Sequence, residues 1–163
     1  SMLPPTQRPE HTEGYEGFYH LVGMKGEVEL AELSYIVRDH SREKFEEKKE
    51  VLTRVEKYMA EKYGEGVVSL ALKDQYYNMR EMVEPHPEVI DKAKKAMEMA
   101  GVVPIVRPIR GGTDGSRLSY MGLPCPNLFA GGMNFHGKFE YCSVQSMERA
   151  MQTIINLATL WAE

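Results

Sequence analysis

Apolar and polar positions alternate with a period of two in three short segments of the first half of the chain. Residues 18–24 and 33–38 carry apolar side chains on both faces, as β-strands do when both faces are partly covered. The connection between them is short, which predicts an antiparallel pair. Residues 68–72 alternate in the same way and predict a third strand, which runs on as far as Asn78.

A helical period separates the second and third of these segments. Ser41 is a suitable N-cap, and Gly64 suits the position just past a helix C-terminus. Four apolar side chains between them fall on one helical face, namely Phe45, Leu52, Val55 and Met59. The first half therefore predicts a β-β-α-β unit whose helix covers one face of its sheet.

The second half of the chain favours helices. A break at residues 84–87 precedes a helix whose apolar face consists of Ile90, Ala93, Met97 and Ala100. Thr113 is expected to cap a short helix that runs to Met121. Ser143 is expected to cap the last helix, which has the apolar stripe Met147, Ala150, Ile154, Ala158 and Trp161.

Only two strand-like segments lie among these helices. Residues 102–109 contain Pro104 and Pro108, which cannot donate to a ladder, so this strand is expected at an edge. Residues 127–130 predict a short buried strand. The resulting order, α-β-α-β-α, is typical of α/β proteins, and the whole chain is expected to be α/β (α+β). Two short strands make a thin sheet, which indicates that part of a larger sheet is missing.

Composition narrows the class of protein. Of the 163 residues, 42% are hydrophobic and 27% are charged, which is typical of a folded globular chain. The net charge of −4, without a block of Lys or Arg, argues against a nucleic-acid or anionic-membrane partner. Cys125 and Cys142 are far apart in sequence; reduced thiols of a cytoplasmic protein are expected, and a single disulfide between them is the alternative. Ser1 and Met2 are typical of an expression-tag remnant ahead of an internal starting point.

The densest chemical signal is the loop of residues 110–115, RGGTDG. Its glycines allow the backbone to approach a ligand closely, and Arg110 can hold a carboxylate through two parallel hydrogen bonds. The alternative is a tight turn with a solvated Arg110. Spacing alone favours that alternative, because the loop matches neither a phosphate-binding nor a dinucleotide-binding motif.

Three further residues are candidates for ligand binding. His136 follows the segment 127–130 in a glycine-flanked loop, and imidazole is a natural zinc ligand, although one histidine does not make a site. Arg38 ends the second strand as an anion clamp or as a solvated side chain. Asn78 is placed to bind a peptide backbone or to serve as a turn residue.

Five segments, taken together, resemble the aminotripeptidase branch of the M20 metallopeptidase family. In chain order they are EGYEGFYHL (13–21), YYNMRE (76–81), PIRGGTDG (108–115), MGLPCPNLF (121–129) and NFHGK (134–138). They occur in order and at matching spacing over nearly the whole chain. Each is a modest signal alone, and the five in register are specific.

The resemblance implies a protein about twice this length, with a smaller domain inserted into a two-zinc α/β catalytic domain. It assigns residues 1–83 to the later part of that lid or dimerisation domain. It assigns residues 84–163 to the C-terminal segment of the catalytic domain. A homodimer through the lid domain is a further expectation. The chain is thus expected to be a C-terminal fragment of such an enzyme.

The resemblance also implies roles for the candidate residues. His136 matches the last zinc ligand of the family, and Arg110 matches a ligand for the carboxylate of the peptide. Arg38 resembles the lid arginine that closes over the substrate, and Asn78 is a weaker candidate nearby. No catalytic base is expected in this chain, because the base and the other zinc ligands lie upstream in the family.

The implied activity is removal of the N-terminal residue from tripeptides by a water molecule that two zinc ions activate. With one expected zinc ligand, the chain alone is expected to be inactive. Two alternatives remain open at this point. One is a non-catalytic dimerisation or regulatory module, and the other is an M20 hydrolase that acts on dipeptides or acylated amino acids.

Overall fold

The computed structural model describes residues 2–163, and Ser1, half of the predicted tag remnant, lies outside the described residues. The chain forms two compact units. The first reaches to Asn78 and includes Pro108–Arg110, and the second comprises Met79–Arg107 and Gly111–Glu163. Helices and two small antiparallel sheets make up these residues, so the expected α/β class is confirmed. The predicted domain boundary stays a prediction.

A β-hairpin opens the first unit, as the alternating segments predict. β1 (Phe18–Gly26) and β2 (Ala31–Arg38) are antiparallel, and Phe18 pairs with Arg38. A bulge after Leu21 shifts the register, and such bulges increase local twist. The pairing therefore sets the end of β2 beside the start of β1, where Phe18 is buried.

The helix α1 (Arg42–Tyr63) confirms the second prediction for this unit. The Ser41 hydroxyl accepts a hydrogen bond from a backbone N–H of the first turn, at 3.3 Å. Gly64 ends the helix with φ +108°, a conformation that glycine adopts without steric cost. Tyr19 joins the helix to the hairpin, because its hydroxyl donates to the carbonyl oxygen of Lys48 at 3.3 Å.

The predicted third strand at residues 68–72 is wrong. These residues follow α1 without joining a ladder. The N–H of Leu70 donates instead to the Glu56 carboxylate of α1, at 2.7 Å. An alternating pattern describes the two faces of a strand but supplies no neighbouring strand, and here a side chain satisfies a backbone donor.

The two strands predicted in the second half are also wrong. Residues 102–109 and 127–130 are not in a ladder, and the first segment contains two prolines. The small sheet of this unit comes from elsewhere, because β3 (Gly132–Met133) pairs with β4 (Tyr141–Cys142). Two-residue strands are too short to leave an alternating signal in a sequence.

Four helices account for most of the second unit. They are α2 (Arg80–Val83), α3 (Pro87–Met99), α4 (Asp114–Tyr120) and α5 (Val144–Ala162). The predicted starts of the last three helices are confirmed to within a residue. Ser143 caps α5 as expected, since its hydroxyl accepts from the Ser146 N–H at 3.1 Å. None of the helices in residues 2–163 has both the length and the apolar character required to cross a membrane.

Polar bonds fix α3 and α5 to one another in antiparallel orientation. Three side chains reach backbone carbonyls of the opposite helix: Arg149 to Ala100 (2.6 Å), Asn156 to Ala96 (3.1 Å) and Lys92 to Leu160 (2.6 Å). Arg149 and Lys92 thereby place positive charge at the C-terminal ends of the two helices. This position is favourable for the helix dipole.

The predicted apolar stripe of α5 is wrong as a buried face. Met147, Ile154 and Trp161 are 49%, 60% and 50% exposed, whereas the buried residues of α5 are Thr153, Asn156 and Leu160. The facing side of α3 is made of small residues, Ala93, Ala96 and Ala100, all buried. Small side chains allow the two helices to approach closely. At this short distance the side of α5 that faces α3 carries Asn156, which donates to a backbone carbonyl of α3.

Candidate functional site

Arg38 ends β2 and lies against the segment that follows α1. Its Nη2 donates to Gln75 Oε1 at 3.0 Å, and its Nη1 donates to the carbonyl of Val37 at 3.2 Å. The guanidinium carbon lies 4.9 Å from the centroid of the Tyr76 ring, within cation–π range. The Tyr76 hydroxyl is buried, and this burial raises its pKa. Arg38 is therefore held on an aromatic surface at the strand end.

A buried ion pair fixes the corner between β2 and α1. The Asp39 carboxylate lies 3.3 Å from Lys48 Nζ, and the two side chains are 2% and 11% exposed. The other Asp39 oxygen accepts the N–H of Ser41 at 3.0 Å. Lys48 also donates to Gln7 at 2.9 Å. Gly17 is required beside this pair, because a Cβ there would lie 2.1 Å from the carboxylate.

His40 is the residue at which the predicted binding residues of the first unit meet. Its carbonyl accepts a hydrogen bond from Asn78 Nδ2 at 3.1 Å. Its ring Nε2 lies 3.1 Å from the carbonyl oxygen of Ile109, and the Tyr15 ring stands edge-on at 5.1 Å. Arg38 is two residues before it in the chain, and Arg110 follows Ile109. Three residues that are far apart in sequence therefore share one region of the first unit.

The planar guanidinium group of Arg110 is contacted along one edge and on one face. Its two terminal nitrogens donate to the carbonyl and the hydroxyl of Thr12, each at 2.5 Å. The guanidinium carbon lies 4.8 Å from the centroid of the buried Phe18 ring. Its Nε is buried and has no acceptor within residues 2–163. The alternative of a solvated Arg110 is therefore wrong.

Asp74 and Tyr77 stabilise the segment that leads into Asn78. Asp74 accepts from the Tyr77 hydroxyl at 2.8 Å and from Lys49 Nζ at 3.1 Å. The Tyr77 hydrogen bond, followed by the Lys49 hydrogen bond, lowers the pKa of the Asp74 carboxyl below its ordinary value. The same bond raises the pKa of Tyr77. These contacts anchor the chain on α1 four residues before Asn78.

His136 belongs to the second unit and lies in an unusual loop. Its φ is +64° and that of Asn134 is +55°, a left-handed conformation that few residues other than glycine adopt. The His136 N–H donates to the Glu140 carboxylate at 3.0 Å, and Asn134 Nδ2 donates to the carbonyl of Phe139 at 3.2 Å. The loop thus uses two side chains to hold an exposed histidine in a strained backbone position.

The metal donors of the chain do not make a zinc site by themselves. Within residues 2–163, no three His, Cys, Asp or Glu side chains are grouped so that they can hold a metal ion. A protein zinc site needs at least three such ligands. Among the described residues, His136 thus has no companions that would complete a zinc site, and its role as a zinc ligand stays a prediction.

Sequence reasoning missed the residues that hold this site together. Thr12 lies in a stretch rich in Pro, Thr, Glu and Gly, and it lacks apolar periodicity, which is typical of a linker. Asp39 and Lys48 carry no pattern of their own. One signal was present, since an acid two residues before the N-cap Ser41 and a lysine within the next helix can meet across the corner.

Comparison with known proteins assigns the chain to a family. The model of peptidase family M20/M25/M40 matches residues 10–160, which is most of the chain. The chain therefore belongs to that family. The resemblance inferred from the five segments is confirmed at this level.

The relatives of the chain narrow the assignment further. It is 60% identical over 162 residues to a peptidase T from Parabacteroides distasonis, and 55% identical over 162 residues to one from Clostridium acetobutylicum. A peptidase T from Lysinibacillus sphaericus is 56% identical over 161 residues. Each match covers 99% of this chain but only 39–40% of the relative. The chain thus spans about two fifths of the length of the curated relatives that it matches.

Proposed function

We propose that this chain is the C-terminal part of a zinc-dependent aminopeptidase that removes the N-terminal residue of tripeptides. Family membership and 55–60% identity to proteins named peptidase T support a peptidase. In this proposal the substrate is a short peptide with a free carboxylate, and the protein acts in the cytoplasm. Both cysteines are free thiols, which agrees with a reducing compartment.

The observation that carries the proposal is the grouping around His40. Arg38 and Arg110 supply guanidinium groups, which bind carboxylates with two parallel hydrogen bonds. Asn78 supplies an amide of the kind that pairs with a peptide backbone. Their shared connection through His40 supports a common role in binding one short anionic ligand.

His136 supplies one zinc ligand in this proposal, and the other ligands and the catalytic base come from a longer polypeptide. The strained, exposed loop of His136 supports a role beyond packing. An exposed apolar groove on α5 supports a larger domain that covers it, and it is lined by Phe129, Ala130, Met147, Ala150, Met151, Ile154 and Ile155. We expect the 163-residue chain alone to hydrolyse no peptide.

A homodimer through residues 1–83 belongs to the same proposal. The hairpin exposes Met24, Val28, Leu30 and Leu33, and Val28 is fully exposed at its tip. Apolar side chains grouped in this way are typical of protein interfaces. Sedimentation of the full-length protein at several concentrations tests this part, and a monomer at all concentrations contradicts it.

The experiment that tests the function is a peptide assay on the full-length protein that contains this segment. We expect tripeptides to be cleaved faster than dipeptides and tetrapeptides, with release of the N-terminal residue. Arg110→Ala should lower kcat/KM, because it removes a charge-assisted contact. The expected loss of transition-state stabilisation is about 1.5–3 kcal/mol. Arg117→Ala, on the exposed side of α4, is the matched control and should leave the rate unchanged.

Each outcome of that assay is informative. Equal rates for all peptide lengths, or hydrolysis of acylated amino acids alone, would assign the protein to a different substrate class of the family. An unchanged kcat/KM for Arg110→Ala would remove Arg110 from the binding site. Activity in the isolated 163-residue chain would contradict the proposal that its zinc ligands come from elsewhere.

A further inference from the structure

We infer that Thr12 is a positioning residue that orients the guanidinium of Arg110 for the carboxylate of the substrate. This inference rests on the proposed function, in which Arg110 binds that carboxylate. The contact joins residues 98 positions apart, and both terminal nitrogens of Arg110 donate to this one threonine. Thr12 therefore fixes the orientation of the guanidinium more directly than any other residue described around it.

The direction of each hydrogen bond is determined. The Thr12 hydroxyl donates its proton to the carbonyl of Arg8 at 2.8 Å, which leaves its lone pairs free to accept from Arg110. The Thr12 carbonyl accepts from the other terminal nitrogen of Arg110. A serine keeps both acceptors, whereas a valine of nearly the same shape keeps only the carbonyl.

Thr12 also selects the edge of the guanidinium that remains for a ligand. Its two acceptors engage the edge formed by both terminal nitrogens, and the Phe18 ring lies against one face at 4.8 Å. Thr12 does not engage Nε, which is buried without an acceptor in residues 2–163, so a carboxylate reaches this edge only when the packing over it moves. An unsatisfied buried donor is costly, so a carboxylate oxygen that reaches this edge removes a penalty already present.

Steady-state kinetics of the full-length protein test the role of Thr12. Thr12→Val should raise KM about tenfold for a tripeptide with a free carboxylate, since it removes one of the two bonds that orient Arg110. Thr12→Ser should restore KM to within about twofold of the wild type. For the same tripeptide with a C-terminal amide, Thr12→Val and wild type should have equal KM, because Arg110 has no carboxylate to bind. Thr6→Val is the matched control on the same exposed arm and should leave all rates unchanged.

Limited proteolysis of the 163-residue chain tests the contact itself, independently of activity. Trypsin cleaves after Arg110 but not after Arg107, because Pro108 follows Arg107. Thr12→Val should speed cleavage at Arg110 several-fold, and Thr12→Ser should not. Unchanged cleavage with Thr12→Val overturns the positioning contact.

The two measurements separate the possible failures. If Thr12→Val speeds cleavage but affects the amide and the free acid equally, Thr12 holds the segment without serving a carboxylate, and the inference is wrong. If the full-length protein cleaves no peptide, the proposed function is wrong. The proposal that Arg110 binds a substrate carboxylate is then wrong as well. The trypsin result then still decides whether Thr12 orients Arg110.

Discussion

The two units of the chain differ in how their polar side chains are used. In the first unit, charged and polar side chains form closed sets of contacts around Asp39, His40 and Arg110. In the second unit, the polar contacts join α3 to α5, while a histidine loop and an apolar groove remain exposed. The first unit therefore holds its charged side chains mainly through contacts within itself, whereas the second unit leaves a histidine loop and an apolar face uncovered.

The buried ion pair of the first unit provides the largest test of this difference. Asp39→Asn leaves the enclosed Lys48 charged and without its counter-ion, which costs about 3–5 kcal/mol. We expect urea unfolding of the first unit at a much lower concentration and little change in the second unit. Tryptophan fluorescence follows the second unit through Trp161, and far-UV circular dichroism follows both.

A double substitution serves as the control for this experiment. Asp39→Asn combined with Lys48→Met removes both charges, so it should cost less than Asp39→Asn alone. Loss of both units at the same urea concentration in Asp39→Asn would contradict the expectation that the second unit changes little. A change below about 1 kcal/mol would show that the pair is hydrated in solution.

The helix pair of the second unit provides a smaller effect. Arg149→Ala removes a cation from the C-terminal end of α3 together with its hydrogen bond to Ala100, and we expect a loss of about 1–2 kcal/mol. Lys95→Ala, exposed on α3, is the matched control and should change stability by less than about 0.5 kcal/mol. Chemical denaturation followed by Trp161 fluorescence measures both. Equal effects of the two variants would contradict the capping role of Arg149.

The smallest effect belongs to Asp74 and depends on pH. Its pKa in the folded protein lies below the ordinary 3.8, so its ionised form stabilises the fold above that pH. The contribution is lost as the pH falls through the folded-state pKa. Asp74→Asn should therefore cost up to about 1 kcal/mol at pH 7 and less near pH 3, because the carboxylate is partly exposed. A pH-independent difference would assign the effect to packing.

Local signals explain which elements were predictable. The hairpin, α1, α3 and α5 depend on alternation, helical period and caps at Ser41 and Ser143, all of which are properties of neighbouring residues. The failed strands at residues 68–72, 102–109 and 127–130 depend on partners that a sequence pattern does not provide. The α5 stripe failed for the same reason, since burial of an apolar face requires a surface to cover it.

The residues of the candidate site also differ in whether a local sequence signal identifies them. Arg38, Asn78 and Arg110 were identified by motif, and their roles remain predictions, although the structure brings them to one region. Their supports at Thr12, Asp39 and Lys48 were missed. These contacts connect residues 98 and 9 positions apart through side-chain hydrogen bonds, and no periodicity in the sequence records such pairs.

The crossed bonds between α3 and α5 have a consequence for how this helix pair assembles. The carbonyls of Ala100, Ala96 and Leu160 each have one matching donor on the other helix. A slide of one helical turn, about 5.4 Å, would separate all three donors from their acceptors together. The three bonds therefore favour one alignment of α3 and α5. A polypeptide that forms them brings Lys92 and Leu160 together, and residues of the apolar groove take no part in these bonds.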